Sequence, residues 1–163
     1  MTAQLRICID VPDLEKGIAF YTQVFGLTLG RRLGRGWAEL LGALAAIDLL
    51  AEPVGSASSP GSSAARDYKR HWTPVHVDWP VPDLDAAVRR AQAAGAVLDR
   101  DVQTRKYGRL ANLADPFGNG FCFLEMRGRG YDELVAAAEG GLVAAAEGGL
   151  ALLPETVQFV EML

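Results

Sequence analysis

A histidine and an aspartate two residues apart, His76 and Asp78, form the most chemically suggestive pair in this sequence. Residues 74–81 have the pattern of a strand, and side chains two positions apart on a strand point to the same face. A neutral imidazole can act as a general base or hydrogen-bond a substrate, while a carboxylate beside it can orient a polar network. The alternative interpretation is a histidine that only stabilises the fold through its hydrogen bonds.

The two cysteines, Cys8 and Cys122, do not define a metal or disulfide motif. Two are too few for a disulfide scaffold, and their spacing fits no zinc motif. We expect half-buried thiols inside strands, with a ligand, a nucleophile or a redox pair as the alternatives. The sequence also contains no phosphate-binding Gly-x-x-x-x-Gly-Lys-Ser/Thr loop and no Gly-x-Ser-x-Gly nucleophile turn.

Composition favours one compact unit or two packed half-domains. The chain has 163 residues, of which 50% are hydrophobic and 22% are charged, and its net charge is −4. No block of like charges is present, which argues against nucleic acid as the main partner. We predict no membrane span and no signal peptide, and hence a cytoplasmic protein, because no apolar run has the required length.

An internal repeat organises the chain. The segment Val-Pro-Asp-Leu-Glu at residues 11–15 returns as Val-Pro-Asp-Leu-Asp at residues 81–85. Each copy follows an apolar strand pattern and precedes apolar residues at helical spacing, so Asp13 and Asp83 are expected to cap helices. Three short apolar segments follow each helix. The sequence therefore predicts the order strand, helix, strand, strand, strand, twice.

These patterns give an α+β fold of two βαβββ modules, plus a C-terminal extension. We predict the first module at residues 1–54, a flexible Gly/Ser-rich linker at 55–72, the second module at 73–127 and a partly helical extension at 128–163. The expected strands are 5–11, 28–33, 37–41 and 46–52 in the first module, then 74–81, 97–103, 109–113 and 120–126. Within the extension, residues 136–142 recur as 144–150, and a dimer contact is the role we assign it.

This architecture resembles the vicinal oxygen chelate superfamily, which includes glyoxalases, bleomycin- and fosfomycin-resistance proteins and extradiol dioxygenases. The resemblance lies in Val-Pro-Asp-Leu-Glu-Lys at 11–16, in Phe20-Tyr21 and Phe25-Gly26-Leu27, and in Asp-Pro-Phe-Gly-Asn at 115–119. It covers about residues 4–126 and implies that the two modules form curved mixed sheets around a shared cavity. One fold of this kind supports many chemistries, so the resemblance implies the fold more strongly than an activity.

The resemblance also implies four positions for metal ligands, on the first and fourth strands of each module. They fall on Arg6 and His76, seven residues before the helix-capping aspartates, on Cys122, and on Asp48 with Glu52 on the same face. Arginine has no free lone pair to coordinate a metal. We therefore expect no cofactor, with a divalent metal held by His76, Asp48 and Glu52 as the alternative.

From this reasoning we predict that His76 and Arg6 are catalytic, Arg6 as a fixed cation that holds an oxyanion and His76 as the base. Asp78 is expected to join that network or to pair with Arg6. The remaining ligand contacts are predicted at Cys8, Trp37, Asp48, Asp78, Tyr107, Arg109 and Cys122.

The favoured function is metal-independent binding of a small molecule by a glyoxalase- or bleomycin-resistance-like homodimer with a degenerate metal site. The alternatives are a lyase or isomerase that stabilises an enolate-like intermediate, and a metal-dependent glyoxalase or dioxygenase. Whether the protein is an enzyme stays open at this point.

Overall fold

The computed structural model describes residues 4–135, and these residues fold as two βαβββ modules. The α+β fold expected from the repeat is therefore confirmed. The first module contains β1 Arg6–Val11, α1 Leu14–Phe25, β2 Thr28–Leu33, β3 Trp37–Leu41 and β4 Ala46–Ala51. The second contains β5 Val77–Pro80, α2 Leu84–Ala93, β6 Val97–Leu98, β7 Gln103–Arg105, β8 Gly108–Ala114 and β9 Gly120–Met126.

Each module has the same sheet topology. The first sheet has the order β1-β4-β3-β2, and the second has the order β5-β9-β8-β6, with the short β7 also paired to β8. The strand that precedes each helix pairs in parallel with the last strand of its module, and the other pairs are antiparallel. The repeat in the sequence is thus a repeat of supersecondary structure.

The helices begin and end where the sequence indicates. Asp13 accepts a hydrogen bond from the backbone N–H of Lys16, and Asp83 accepts one from Ala86, so both aspartates are N-caps. Gly26 ends α1 in the left-handed conformation, with φ of 68°, which costs a glycine little. These local signals explain why the helix bounds could be predicted closely.

Two strands of the second module differ from their predicted extents. The strand expected at 74–81 is reduced to Val77–Pro80, and the one expected at 97–103 is split into β6 and β7. The split follows from pairing, because β6 and β7 contact opposite ends of β8. The predicted linker region contains ordered contacts, including an ion pair between Arg66 and Asp10 with an N–O distance of 2.7 Å.

Within residues 4–135, the larger of two hydrophobic clusters joins the two modules on the helix-facing side of both sheets. Its centre is aromatic: Phe25 lies 4.4 Å from Trp79, and Phe20 lies 6.4 Å from Phe121, measured between ring centroids. Helices and core therefore occupy one side of each sheet. The opposite face of each sheet, called here the open face, is left for polar side chains and cavities.

Most of the predicted extension, from residue 136 onwards, lies outside the described residues, including the repeated Ala-Ala-Ala-Glu-Gly-Gly-Leu segment. Within residues 4–135, no helix has the length and hydropathy needed to cross a membrane.

Candidate functional site

A row of polar side chains crosses the open face of the second module. Asp78 on β5 stands opposite Cys122 on β9, and Cys122 stands opposite Asn112 on β8. Residues opposite each other on neighbouring strands point to the same face, so these side chains are adjacent. His76 lies two residues before Asp78 and extends the row at the edge of the sheet.

Hydrogen bonds connect this row. The Nε2 atom of His76 lies 3.2 Å from an Asp78 carboxylate oxygen. Asn112 donates from its amide nitrogen to the Cys122 sulfur at 3.2 Å, and Gln103 donates to Asn112 at 3.4 Å.

The Cys122 thiol is held in its protonated form. The side chain is only 2% exposed. Burial, together with the nearby Asp78 carboxylate, raises its pKa to about 12. A thiol in this state is a poor nucleophile and a poor metal ligand, because both roles require the thiolate. The role of nucleophile, one of the alternatives that the sequence left open for Cys122, is therefore disfavoured.

The polar row forms the floor of a cavity of about 350 Å³, called here the module-2 cavity. A volume of this order suits a small organic ligand. Its walls are aromatic and apolar with one cation, and the residues that line it are Trp72, His76, Asp78, Arg100, Tyr107, Leu110, Asn112, Cys122, Leu124 and Tyr131.

Trp72 is fixed at one side of this cavity. Its indole N–H donates to Asp99 at 2.9 Å, and the Arg70 guanidinium lies 4.8 Å from the ring centroid. The ring covers Gly120 so closely that a Cβ atom there would lie 2.7 Å from it. Trp72 also meets His76 edge to face, with ring centroids 5.3 Å apart. The histidine is therefore positioned by Asp78 on one side and Trp72 on the other.

A second cavity of about 540 Å³, the junction cavity, lies where β1 and β5 face each other between the modules. His76 lines both cavities, so the two adjoin. Cys8 and the Arg66–Asp10 ion pair belong to the junction cavity, together with aromatic residues of the core.

The open face of the first module carries a cluster of charges instead. Arg6 donates to both carboxylate oxygens of Asp48, at 2.7 and 2.5 Å, and to Glu39 at 2.8 Å. Arg31 donates to the same Glu39 at 2.6 and 2.9 Å. The hydrogen bonds from Arg31 and then Arg6 lower the pKa of Glu39 to about 2. Two cations and two carboxylates thus neutralise one another.

The structure separates the two residues predicted to be catalytic. Arg6 lines an open depression on the first module, whereas His76 lines the two cavities described above. The possible pairing of Arg6 with Asp78 is not observed among the described residues, because Arg6 binds Asp48 and Asp78 binds His76. Within one chain, Arg6 is therefore bound by carboxylates of its own module and does not lie beside His76.

Three other predicted contacts are placed differently from expectation. Tyr107 was predicted as a ligand contact and lines the module-2 cavity, but it is only 1% exposed, as a buried part of the cavity wall. Arg109 lies on the helix-facing side, where it pairs with Asp85 and Glu125. Trp37 lies on β3 of the first module, away from the module-2 cavity, and is partly buried.

The structure adds Trp72, Arg100, Asn112 and Tyr131 to the residues predicted from the sequence. Asn112 could have been found from strand alternation, because it lies two residues after Leu110 on β8. Trp72, Arg100 and Tyr131 lie in loops or beyond the last strand, where periodicity gives no signal.

The fold family implies a divalent metal, but the donor atoms of this chain are a poor fit for one. In the first module Arg6 occupies both oxygens of Asp48, and its positive charge would oppose a cation there. The alternative set of His76, Asp48 and Glu52 is not brought together. Only His76, Asp78 and Cys122 place donor atoms within 4.8 Å of one another in the described part of the chain. One member of that set is a thiol with a pKa of about 12.

The two βαβββ modules, with a polar-floored cavity on one open face, define the fold class of this chain, and sequence comparison agrees. Residues 6–124 match the family described as "Glyoxalase-like domain". The chain belongs to this family, and the resemblance to the vicinal oxygen chelate superfamily is confirmed.

Curated relatives and solved structures extend this assignment. The anthracycline biosynthesis protein DauV of Streptomyces sp. (strain C5) is 35% identical over 88 residues, which cover 54% of this chain and 29% of DauV. The chain therefore spans less than a third of that relative.

Among solved structures, the fosfomycin resistance protein FosX of Listeria monocytogenes has a TM-score of 0.59 at 19% identity, covering 78% of this chain and 95% of FosX. The antibiotic binding protein TnmS3 of Streptomyces sp. CB03234 has a TM-score of 0.54 at 22% identity, covering 78% of this chain and 98% of TnmS3. At these identities the likeness shows the fold alone.

Proposed function

We propose that this protein binds a small aromatic molecule in the module-2 cavity without a metal ion. The observation that carries the proposal is the cavity itself: a floor of neutral and paired polar groups beneath aromatic walls. Apolar cavities with a few convergent polar groups are the usual form of small-molecule sites. The self-neutralised Arg6 cluster supports the proposal, because it removes half of the positions from which the fold would hold a metal.

The names of the similar proteins guide the choice of ligand. DauV is an anthracycline biosynthesis protein and TnmS3 is an antibiotic binding protein. We therefore propose planar, oxygenated aromatic compounds as the first ligand class to test. Trp72 and Tyr131 offer ring faces for stacking, and Arg100 offers a cation for an acidic ligand oxygen.

The test is a titration of chelator-treated protein with a hydroxylated anthraquinone, followed by fluorescence or calorimetry. We expect stoichiometric binding that divalent metals do not change. His76→Gln should weaken binding about tenfold, the value of roughly one hydrogen bond. Gln23→Ala, an exposed change on α1, is the control and should bind as the wild type does. Binding that requires a metal would contradict the proposal.

A second candidate function, a lyase or isomerase, is favoured by the His76–Asp78 pair. The Nε2–carboxylate distance of 3.2 Å fixes the imidazole and leaves its other nitrogen to accept a proton. Conversion of a bound ligand, lost in His76→Gln while affinity is largely retained, would establish this function over sequestration. Binding with no chemical change in the recovered ligand would favour sequestration.

We also propose that two chains pair through the first module. Its open side and edge strand expose several large apolar side chains, among them Leu5, Leu29, Leu33, Leu41 and Leu44. Exposed apolar surface of this kind is typical of an interface. Light scattering after size exclusion should give a dimer mass for the wild type and a monomer mass for Leu33→Glu. A monomeric wild type would contradict this.

A further inference from the structure

The chain beyond the last strand folds back over the open face of the second module. After β9, Gly128 and Gly130 adopt positive φ values of 55° and 62°, which allow two tight reversals. The backbone N–H of Arg127 donates to the Tyr107 carbonyl at 2.9 Å. Residues 127–135, called here the return segment, follow the portion at 6–124 that matches the family. The segment therefore lies beyond the residues that define the family match.

Leu134 anchors the return segment. Its side chain is 5% exposed and belongs to a cluster with Tyr107, Leu110, Cys122 and Leu124. These four residues are walls or floor of the module-2 cavity. A buried leucine in such a cluster keeps the return segment against the cavity, because leaving would expose both surfaces to water.

Tyr131 brings a second tyrosine to the cavity. Its ring lies 5.0 Å from that of Tyr107, with an angle of 49° between their planes, and the residue remains 40% exposed. Neither hydroxyl has a hydrogen-bond partner within residues 4–135, whereas the buried Tyr21 hydroxyl bonds to Asp115 at 2.7 Å. Burial raises the pKa of both Tyr107 and Tyr131, so both are neutral hydrogen-bond donors at physiological pH.

We propose that the return segment makes Tyr131 the specificity-determining residue of the module-2 cavity, selecting planar aromatic ligands that carry quinone or phenol oxygens. The ring of Tyr131 supplies a stacking face, and the two phenol groups supply donors for the ligand oxygens. Arg100 on the same cavity adds a positive charge for an ionised phenol. This inference rests on the proposed function, since it assumes that the cavity binds the ligand.

The experiment compares two probes of similar polarity: a hydroxylated anthraquinone, which is planar, and a hydroxylated decalin, which is saturated and non-planar. Dissociation constants are measured for the wild type, Tyr131→Ala and Tyr131→Phe. We expect Tyr131→Ala to weaken anthraquinone binding about tenfold, near the upper value for an aromatic contact, while decalin binding changes less than twofold. Tyr131→Phe should lie between the wild type and Tyr131→Ala, because it keeps the ring and loses the donor.

Two further variants serve as checks on the return segment. Asp132→Ala changes an exposed residue whose side chain forms no hydrogen bond or ion pair within residues 4–135, and it should bind both probes as the wild type does. Leu134→Ala should loosen the anchor and speed anthraquinone dissociation, with a melting transition that still shows a folded protein. Dissociation at the wild-type rate in Leu134→Ala would contradict the role of the return segment.

The outcomes separate this inference from the function beneath it. Wild-type protein that binds neither probe, or binds with no effect of His76→Gln, would overturn the proposed function and this inference together. A different result would overturn only the role of Tyr131. In that result the wild type binds and His76→Gln weakens binding, but Tyr131→Ala changes the dissociation constants of both probes equally or of neither.

Discussion

The protonation state of Cys122 gives a quantitative prediction about the floor of the cavity. Burial and the Asp78 carboxylate raise the thiol pKa from 9.0 to about 12. At pH 8 this difference lowers the thiolate fraction roughly a thousandfold relative to an ordinary thiol. A more basic thiolate is intrinsically more nucleophilic, with a Brønsted slope of about 0.4–0.5. Its higher reactivity offsets roughly a factor of twenty to thirty of the loss in thiolate fraction. Alkylation of Cys122 should therefore be at least about thirtyfold slower than that of a free thiol.

The assay is alkylation by iodoacetamide, followed by intact-mass and peptide mass spectrometry. Cys8 is exposed and serves as the internal comparison, since the two cysteines are labelled in one reaction. Cys8→Ser and Cys122→Ser isolate each rate. We expect Cys8 to be labelled first, and Cys122 to be labelled more slowly than the thirtyfold factor alone requires, because it is also buried. Addition of zinc should leave the Cys122 rate unchanged.

Labelling of Cys122 as fast as a free thiol at pH 8 would refute this reasoning. It would show that a thiolate exists at the floor of the cavity. Protection of Cys122 by zinc would show in addition that His76, Asp78 and Cys122 form a metal site. Zinc protection would require the metal-independent account to be abandoned, whereas fast labelling alone would overturn only the protonated state of Cys122.

Further predictions follow from individual contacts. Hydrogen bonds, first of all from Arg31, lower the pKa of Glu39 to about 2. The ionised Glu39 carboxylate therefore stabilises the fold fully above about pH 4.5, and this stabilisation is lost as the pH falls through about 2. Thermal melts between pH 2 and 6 should therefore show a smaller acid-induced loss of stability in Glu39→Gln than in the wild type. Tyr21→Phe removes the buried bond to Asp115 and should lower the free energy of unfolding by about 1–2 kcal/mol in a urea titration. Arg109→Ala should leave anthraquinone affinity unchanged by calorimetry, because the side chain lies on the helix-facing side; a tenfold loss would place it in the site.

The fold could be predicted from the sequence because its determinants are local. Asp13 and Asp83 cap helices that begin where the repeated motif places them, and Gly26 ends α1. The order of elements then follows from apolar periodicity in each half. Where the prediction was wrong, pairing was the reason: β6 and β7 are separate because each contacts a different end of β8.

The site could be predicted only in part, because its arrangement depends on contacts between distant strands. His76 and Asp78 are neighbours on one strand, and their adjacency follows from the two-residue period. The partner of Arg6 depends on the β1–β4 register. This register pairs Arg6 with Ala46, so that Asp48, two residues further along β4, comes within hydrogen-bond reach. Tyr131 could not be assigned, because it reaches the cavity through two glycine turns beyond the repeat.

The most direct test of the central claim is a calorimetric titration of metal-free protein with the hydroxylated anthraquinone, repeated after addition of manganese, iron, nickel or zinc. The account predicts one site per chain in the metal-free sample, an unchanged dissociation constant with each metal, and about tenfold weaker binding in His76→Gln. Binding that appears only with a metal, and that disappears in His76→Gln, would contradict metal-independent recognition and indicate a metalloprotein instead.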